Sequence, residues 1–270
     1  MKTFIVATDF SEEAENAINY AASLAREVNA KIILFNSFMI PLHLSNSILP
    51  AENIAELERK NEELLQEKAT ALSQSYGIAT SFESKLMRDV QEELGRLFEN
   101  HQADLIVMGM ASRSVSQDIF GNTTTSAIMQ FKYPVLAVPK GVNYMKIKKI
   151  LYPYDILRRD PDQVLGKIAE ITQALKTHLE IFHVQRDSKI SDMDEAKAQI
   201  KSNFGSTPHN FREIGSGEVI EEIEREIINT GADLLIMVPQ RYGFWDSMFH
   251  RSKTRMMASG SKIPLLSIPG

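Results

Sequence analysis

The chain repeats one pattern twice in the same order, and this repetition limits the folds that it can adopt. Three segments of the first half return in the second: TFIVATDF as KILYPYDI, ADLIVM as ADLLIM, and KYPVLAVP as KIPLLSIP. The first of these pairs sets Asp155 where the earlier copy has Asp9. Preserved order indicates a tandem duplication, so we predict two domains of one fold, residues 1–143 and 144–270, each of ordinary domain size.

Short runs of Val, Ile and Leu alternate with longer amphipathic stretches in both halves, which is typical of βαβ units around a parallel sheet. We therefore predict an α/β protein of two tandem doubly wound domains, each a five-stranded parallel sheet flanked by helices. The predicted strands lie near 3–8, 31–37, 79–84, 104–109 and 134–138, then near 147–153, 178–184, 209–213, 233–238 and 264–268. The predicted helices lie near 11–28, 51–75, 88–100 and 121–131, then near 160–176, 191–203, 217–230 and 250–259.

Two helix starts carry local signals. Ser11 offers a hydroxyl that can cap the first exposed amides of its helix, and Glu12 and Glu13 complement the helix dipole. In the second copy Asp160 precedes Pro161, and proline suits the first turn of a helix. We expect Asp160-Pro161 to begin the first helix of that copy.

The first copy has an additional region between its second and third strands. An apolar stretch at 38–50 precedes the helix predicted at 51–75, and three roles for this stretch stay open: a lid over a ligand, a contact with another subunit, or packing on its own domain. We expect the helix to be a largely solvated cover. Its narrow apolar stripe comprises Ile54, Leu57, Leu64, Leu65 and Leu72.

Composition excludes several classes of partner and chemistry. The net charge of −5 argues against a nucleic-acid or anionic-membrane surface. The absence of cysteine removes disulfides and thiolate metal sites, and the six histidines show no metal-ligand spacing. No stretch has the length of a signal-peptide core or of a membrane span. We expect a cytoplasmic protein without a metal site, a nucleic-acid partner or a membrane partner.

Ligands of open parallel sheets bind beyond the carboxyl ends of the strands, where the strand order reverses. Asp9 ends the first predicted strand and Gly109 ends the fourth, so both lie at this edge. Gly121 and the run Thr123–Thr125 open the next helix, whose free amides and hydroxyls suit an anion. Two interpretations stay open: a phosphate cradle, or Asn122 and Thr123 capping the helix while Gly109 merely ends a strand.

These residues resemble the universal stress protein (UspA) family. The matching segments are IVATDFSEEAENAI at 5–18, ADLIVMGM at 103–110, the turn into a helix at Gly121, and KYPVLAVP at 132–139. The resemblance recurs once per half and identifies the chain as similar to tandem, two-domain members. It implies an adenine nucleotide alpha hydrolase-like fold, with the two domains paired around a pseudo-twofold axis. A homodimer of the whole chain is a further expectation.

The resemblance also implies a site for ATP or another adenine nucleotide. ATP-binding members carry G-x-x-G, nine residues, then G followed by Ser or Thr, whereas this chain has a Ser in the second position, a spacing one residue shorter, and an Asn after the last Gly. By this resemblance Asp9 would meet the adenosine part and the backbone near Ser37 the base. The phosphates would meet Gly109, Ser112, Gly121, Asn122 and Thr123.

The second copy lacks the glycines of this pattern. It has Val238, Arg241, His250 and Arg251 at the corresponding positions, and bulky side chains prevent close approach of the backbone to a phosphate. We therefore expect any adenine nucleotide to bind in domain 1 only.

The resemblance and the residues together favour a non-catalytic stress-response or signalling protein. Asp9 and Asp155 are lone carboxylates on separate domains and do not form an acid/base pair. One alternative is a ligand-free interaction module in which both nucleotide sites are degenerate. A second alternative is a weak nucleotide hydrolase.

Overall fold

The structure is a computed structural model that describes residues 2–38, 51–86, 89–110, 123–156, 160–185, 193–239 and 263–270. The chain divides into two compact units. One unit contains Met1–Ala127 with Tyr133–Tyr144, and the other contains Ile128–Lys132 with Met145–Gly270. The predicted helix near 250–259 and residues 39–50 of the apolar stretch lie outside the described residues.

The first unit is a parallel sheet with helices between its strands. Its strands are β1 (Lys2–Ala7), β2 (Ala30–Phe38), β3 (Thr80–Leu86), β4 (Leu105–Met110) and β5 (Val135–Pro139). They lie in the order β3-β2-β1-β4-β5, and every neighbouring pair is parallel. The helices are α1 (Glu12–Val28), α2 (Ala51–Tyr76), α3 (Val90–Asn100) and α4 (Thr123–Gln130), of which α4 belongs to this unit up to Ala127. The strand order reverses between β1 and β4.

The second unit repeats this arrangement. Its strands are β6 (Lys149–Pro153), β7 (His178–Gln185), β8 (His209–Gly215), β9 (Leu234–Met237) and β10 (Leu265–Ser267), in the order β8-β7-β6-β9-β10 and all parallel. The helices described there are α5 (Asp162–Leu175), α6 (Met193–Phe204) and α7 (Val219–Thr230). The predicted α/β fold class, with two similar doubly wound domains, is confirmed.

The central strands form the cores because they are apolar on both faces. Phe4, Ile5 and Val6 of β1 are buried, as are Ile150 and Leu151 of β6. Continuous burial is expected for parallel strands that helices cover on each side. The edge strands β3 and β8 are only partly buried, in agreement with their alternating polar residues. The end of β1 is therefore held rigidly between β2 and β4.

Helix α2 covers the first sheet through one face, and the predicted apolar stripe is correct only in part. Leu65 and Leu72 are buried, together with Ala69, which lies between them on the same helical face. Leu57 and Leu64 are exposed instead. The hydrogen bond from Asn61 Nδ2 to Ser84 Oγ, 2.7 Å long, ties α2 to β3. The orientation of the helix on the sheet, which the stripe alone did not define, decides which leucines are buried.

The two predicted helix starts have different outcomes. Ser11 caps α1, because its Oγ accepts a hydrogen bond from the amide of Ala14 at 3.2 Å. Helix α5 begins at Asp162, and Pro161 occupies the N-cap position without a side-chain cap. Asp160 instead accepts a hydrogen bond from the buried hydroxyl of Tyr152. The prediction that Asp160-Pro161 begins the helix was therefore wrong in detail.

Candidate functional site

The candidate site lies at the carboxyl ends of β1, β2 and β4, where the strand order of the first unit reverses. Thr8 and Asp9 follow β1 directly, and the amide of Thr8 donates to the carbonyl of Phe35 at 2.8 Å. Asp9 is exposed, and its Oδ1 accepts a hydrogen bond from the amide of Ser11 at 3.0 Å. Asp9 thus stands between the end of β1 and the start of α1, with its carboxylate accessible.

Gly109 has a packing role at this edge. A Cβ atom on this residue would lie 2.5 Å from the carbonyl oxygen and 2.9 Å from the next amide nitrogen of the first turn of α1, at Glu13 and Ala14. The carbonyl oxygen of Gly109 accepts a hydrogen bond from Thr124 Oγ1 at 2.8 Å. Gly109 therefore brings the first turns of α1 and α4 close to the end of β4.

The two helix starts differ in charge. Helix α1 carries acids in its first turn, and Lys140 pairs with Glu12 at 2.7 Å and with Glu13 at 3.1 Å. A hydrogen bond from its own backbone amide, followed by one from Lys140, lowers the pKa of Glu13 below its ordinary value. Helix α4 begins with three threonines and has no acid in its first turn. The positive end of α4 is therefore the one left uncompensated by an acidic residue of its own first turn.

Polar side chains also mark the end of β2. The Asn36 amide nitrogen donates to the carbonyl oxygen of Thr8 at 2.7 Å. Asn36 Oδ1 and Ser37 Oγ are both closed to solvent and have no hydrogen-bond partner among the described residues. A buried polar atom without a partner costs about 1–3 kcal/mol, so such atoms often mark a functional site.

The structure brings together three of the predicted site residues. Asp9, Ser37 and Gly109 lie at the ends of three neighbouring strands, on one edge of the sheet. Thr123 begins α4 at the same edge, but only its backbone is among the described parts of the structure. Ser112, Gly121 and Asn122 lie outside the described residues, so their predicted phosphate contacts stay predictions.

Sequence reasoning missed two residues of this edge. Asn36 interrupts an apolar strand just before its end, and Thr124 lies within the threonine run that opens α4. A polar residue buried at the carboxyl end of a central strand is the signal that could have identified Asn36. Thr124 was named only as part of the run, although its hydroxyl fixes Gly109.

The second unit fills the equivalent edge with its own side chains. Val238, at the position of Gly109, is buried. Helix α5 begins only at Asp162, later after Asp155 than α1 begins after Asp9, so its first turn does not require a glycine there. The hydroxyl of Tyr154 donates to Gln199 Oε1 at 2.6 Å, and that of Tyr152 donates to Asp160.

A metal site and a membrane segment can be checked in the described part of the chain. No group of three or more His, Cys, Asp or Glu residues within it could hold a metal ion. Within the same ranges, no helix combines the length and the apolar character needed to cross a membrane.

Comparisons with solved structures show the same architecture. A universal stress protein from Archaeoglobus fulgidus DSM 4304 aligns with 98% of this chain and 97% of its own, at 19% identity and a TM-score of 0.74. A putative universal stress protein from Pseudomonas aeruginosa UCBPP-PA14 aligns with 100% of this chain and 93% of its own, at 14% identity and a TM-score of 0.58. At these identities the likeness establishes the fold alone.

Two further comparisons concern the sequence and a shorter structure. An Arabidopsis thaliana protein of the universal stress protein family, solved with AMP bound, aligns with 52% of this chain and 93% of its own, at 14% identity and a TM-score of 0.37. No curated protein matches the sequence.

The family itself follows from the first repeat. The sequence model of the universal stress protein family matches residues 1–139, which is more than half of the 270 residues. This range contains β1 to β5 with Asp9 and Gly109 at the switch point of the sheet. Together with the strand order of the fold, this match shows that the chain belongs to the universal stress protein family.

Proposed function

We propose that this protein is a non-catalytic stress-response or signalling protein that binds ATP or another adenine nucleotide in its first unit only. The observation that carries the proposal is the meeting of Asp9, Gly109 and the start of α4 at the switch point of the first sheet. The positive end of α4 points its first amides along the helix axis, and its first turn carries no acid, which suits a phosphate. Asp9 supplies an exposed carboxylate for a ribose hydroxyl.

The residues at the end of β2 fit the base of such a nucleotide. Ser37 Oγ has no partner among the described residues, although it is closed to solvent. A nucleobase carries both donors and acceptors along its edge and can satisfy a hydroxyl of this kind. Strands β1 and β2 are paired in parallel, with Asp9 just after β1 and Ser37 near the end of β2. The base and the ribose would therefore bind at adjacent strand ends.

The charges around the site support binding and not catalysis. Glu12 and Glu13 are the acidic residues nearest in sequence to Asp9, and both form ion pairs with Lys140. Hydrogen bonds from its own backbone amide and from Lys140 lower the pKa of Glu13, so this carboxyl group is a poor general acid at neutral pH. A nucleotide sensor needs a complementary pocket but no acid/base pair, and the described residues of the first unit match that requirement.

The second unit serves as a structural partner in this proposal. Val238 carries a buried side chain where the first unit has a glycine, and the hydroxyls of Tyr152 and Tyr154 are used by Asp160 and Gln199. These contacts stabilise the end of β6 without a ligand. The duplication would thus retain two scaffolds and one nucleotide site.

One experiment tests the proposal with a matched pair of variants. The freshly purified protein is denatured and released nucleotide is sought by chromatography, and ATP is titrated calorimetrically into the protein after removal of nucleotide. We expect ATP to bind, Asp9→Ala to weaken binding about tenfold or more, and Asp155→Ala to leave it unchanged. An equal loss from both variants would contradict a site confined to the first unit.

A ligand-free interaction module is the second candidate, and one observation favours it. Leu57 and Leu64, two turns apart on α2, are 39% and 52% exposed. Exposed leucines on one face of a helix suit a protein partner. The same titration separates the two candidates, because absence of ATP binding at millimolar concentration would overturn the nucleotide proposal and leave the interaction module.

A further inference from the structure

A side-chain hydrogen bond holds the backbone just before Asp9. Asn36 Nδ2 donates to the Thr8 carbonyl oxygen at 2.7 Å, and Asn36 is only 4% exposed. We call this hydrogen bond the carbonyl clamp. The Thr8 amide already donates to Phe35, the neighbour of Asn36, so both backbone polar groups of Thr8 are bonded to β2 or its side chains. The residue that precedes Asp9 is thereby fixed from both sides.

The turn that follows the clamp is strained and presents Asp9. Phe10 adopts a φ of +61°, in the left-handed region that a bulky residue rarely occupies. The Phe10 amide donates to Thr8 Oγ1 at 3.0 Å, and the Ser11 amide donates to Asp9 Oδ1 at 3.0 Å. Thr8 is therefore held in place by hydrogen bonds, and the turn begins directly after it. Movement of its carbonyl would change the direction of the Asp9 carboxylate.

The second copy holds the same backbone atom with a different side chain. The Tyr154 amide donates to Phe182 at 2.9 Å, and His183 Nδ1 lies 2.9 Å from the Tyr154 carbonyl oxygen. A carbonyl oxygen only accepts, so Nδ1 carries the proton and is the donor. His183 and Asn36 each directly follow the phenylalanine that the amide contacts. The amide of Asn36 in the first copy and the imidazole of His183 in the second thus make equivalent hydrogen bonds to the backbone.

The second polar atom of each of these two side chains makes no hydrogen bond within the described part of the chain. Asn36 Oδ1 and His183 Nε2 are both buried and have no hydrogen-bond partner among the described residues. An apolar side chain would avoid the cost of such an atom, but it would offer the carbonyl no donor. The hydrogen-bond donor is therefore what both side chains provide to the backbone carbonyl. Ile156, the counterpart of Phe10, does not adopt a left-handed conformation, so the strained turn belongs to the first copy.

We propose that Asn36 is a positioning residue of the nucleotide site, which acts through the Thr8 carbonyl to hold the Asp9 carboxylate in its binding orientation. The inference rests on the proposed function, because Asp9 is the residue that would contact the nucleotide. It assigns to Asn36 no contact with the ligand. His183 performs the same backbone task in the second copy, where no nucleotide site is proposed.

The first test uses the nucleotide-free protein and therefore does not depend on ligand binding. Hydrogen exchange is measured at the amides of Phe10 and Ser11 in the wild type and in Asn36→Leu, whose side chain has the same branching and number of heavy atoms but no donor. We expect exchange there to become about tenfold faster, while the amides in the middle of β1 keep their protection. His183→Leu, the matched control, should leave Phe10 and Ser11 unchanged. Unchanged exchange in Asn36→Leu would overturn the proposal.

The second test measures ATP affinity in a double-mutant cycle. We expect Asn36→Leu to weaken ATP binding about tenfold, and to weaken it no further when Asp9 is already alanine. Asn36→His, which restores a donor as in the second copy, should return the affinity to within about threefold of the wild type. Additive losses, or failure of histidine to restore the affinity that leucine lowers, would show that Asn36 does not act through Asp9.

The two tests separate the inference from the function on which it rests. If the wild type does not bind ATP, the proposed function fails, and with it the role of Asn36 in binding, whereas the exchange measurement still decides whether the carbonyl clamp holds the turn. If ATP binds and the cycle is additive, the proposed function stands and the inference fails.

Discussion

Gly109 and Glu13 approach so closely that a Cβ atom on the glycine would stand 2.5 Å from the glutamate carbonyl oxygen. The neighbour is helix backbone, which cannot rotate away as a side chain can. Glycine at this position is therefore required by the packing of α1 on β4, apart from any ligand. In the second copy α5 begins later after its strand, and a buried Val238 occupies the corresponding position.

Replacing Gly109 should destabilise the first unit. We expect Gly109→Ala to lower the free energy of unfolding by about 1–3 kcal/mol, because α1 must move to admit the methyl group. Urea denaturation followed by circular dichroism measures the change. Gly166→Ala is the matched control, since its Cβ would meet nothing within 4 Å inside α5, and alanine there should stabilise by about 0.5–1 kcal/mol. A neutral Gly109→Ala would show that α1 adjusts freely.

The adjacent leucines of α2 give a second prediction. Leu65 is 0% exposed and Leu64 is 52% exposed. We expect Leu65→Ala to cost about 2–5 kcal/mol of unfolding free energy, because it opens a cavity beneath the helix. Leu64→Ala should change the stability by less than about 0.5 kcal/mol, as surface substitutions usually do. Similar losses for the two variants would mean that α2 packs on the sheet through a different face.

Sequence patterns predicted what depends on local periodicity and missed what depends on contacts between distant residues. Strand and helix positions follow from alternating apolar runs, and the position of Asp9 follows from the end of β1. Whether Leu64 or Leu65 is buried depends on how α2 lies on β3. The apolar stripe of the helix does not define this orientation. The contact of Gly109 with Glu13 likewise joins two elements far apart in sequence.

Side chains with several possible partners were a further source of error. Asp160 directly precedes the N-cap residue Pro161, yet its carboxylate accepts a hydrogen bond from Tyr152, because a buried hydroxyl group requires an acceptor. Asn36 was missed for a related reason. Its role depends on the carbonyl oxygen of Thr8, a backbone atom whose availability cannot be read from residue types.

The cap of α1 gives a third prediction. Ser11 Oγ accepts from the Ala14 amide, so Ser11→Ala should cost about 1 kcal/mol of unfolding free energy. Ser11→Thr keeps the hydroxyl and should retain most of the stability. Ser23→Ala is the control within the same helix, where the serine only bonds back to the Asn19 carbonyl. A loss from Ser23→Ala as large as that from Ser11→Ala would argue against a specific cap, and urea denaturation of all three variants decides.

A fourth prediction concerns the buried hydroxyl of Tyr152 in the second unit. Burial, and then the charge of Asp160, raises the pKa of Tyr152 well above its ordinary value. We expect Tyr152→Phe to lower the free energy of unfolding by about 1–3 kcal/mol near neutral pH, because Asp160 loses a buried donor. Tyr154→Phe is the comparison, since that hydroxyl donates to the neutral amide oxygen of Gln199 and its loss should cost less.

The same residue predicts how stability depends on alkaline pH. Above about pH 10 the unfolded chain loses the Tyr152 proton, whereas the folded protein keeps it because its pKa is raised. The unfolded state then binds fewer protons than the native state, so the free energy of unfolding falls as the pH rises. The phenylalanine variant lacks this loss, and the stability difference between wild type and variant should narrow from about pH 9 to about pH 11. Urea denaturation across this range measures it, and a constant difference would show that Tyr152 ionises in the folded protein as readily as in the unfolded chain.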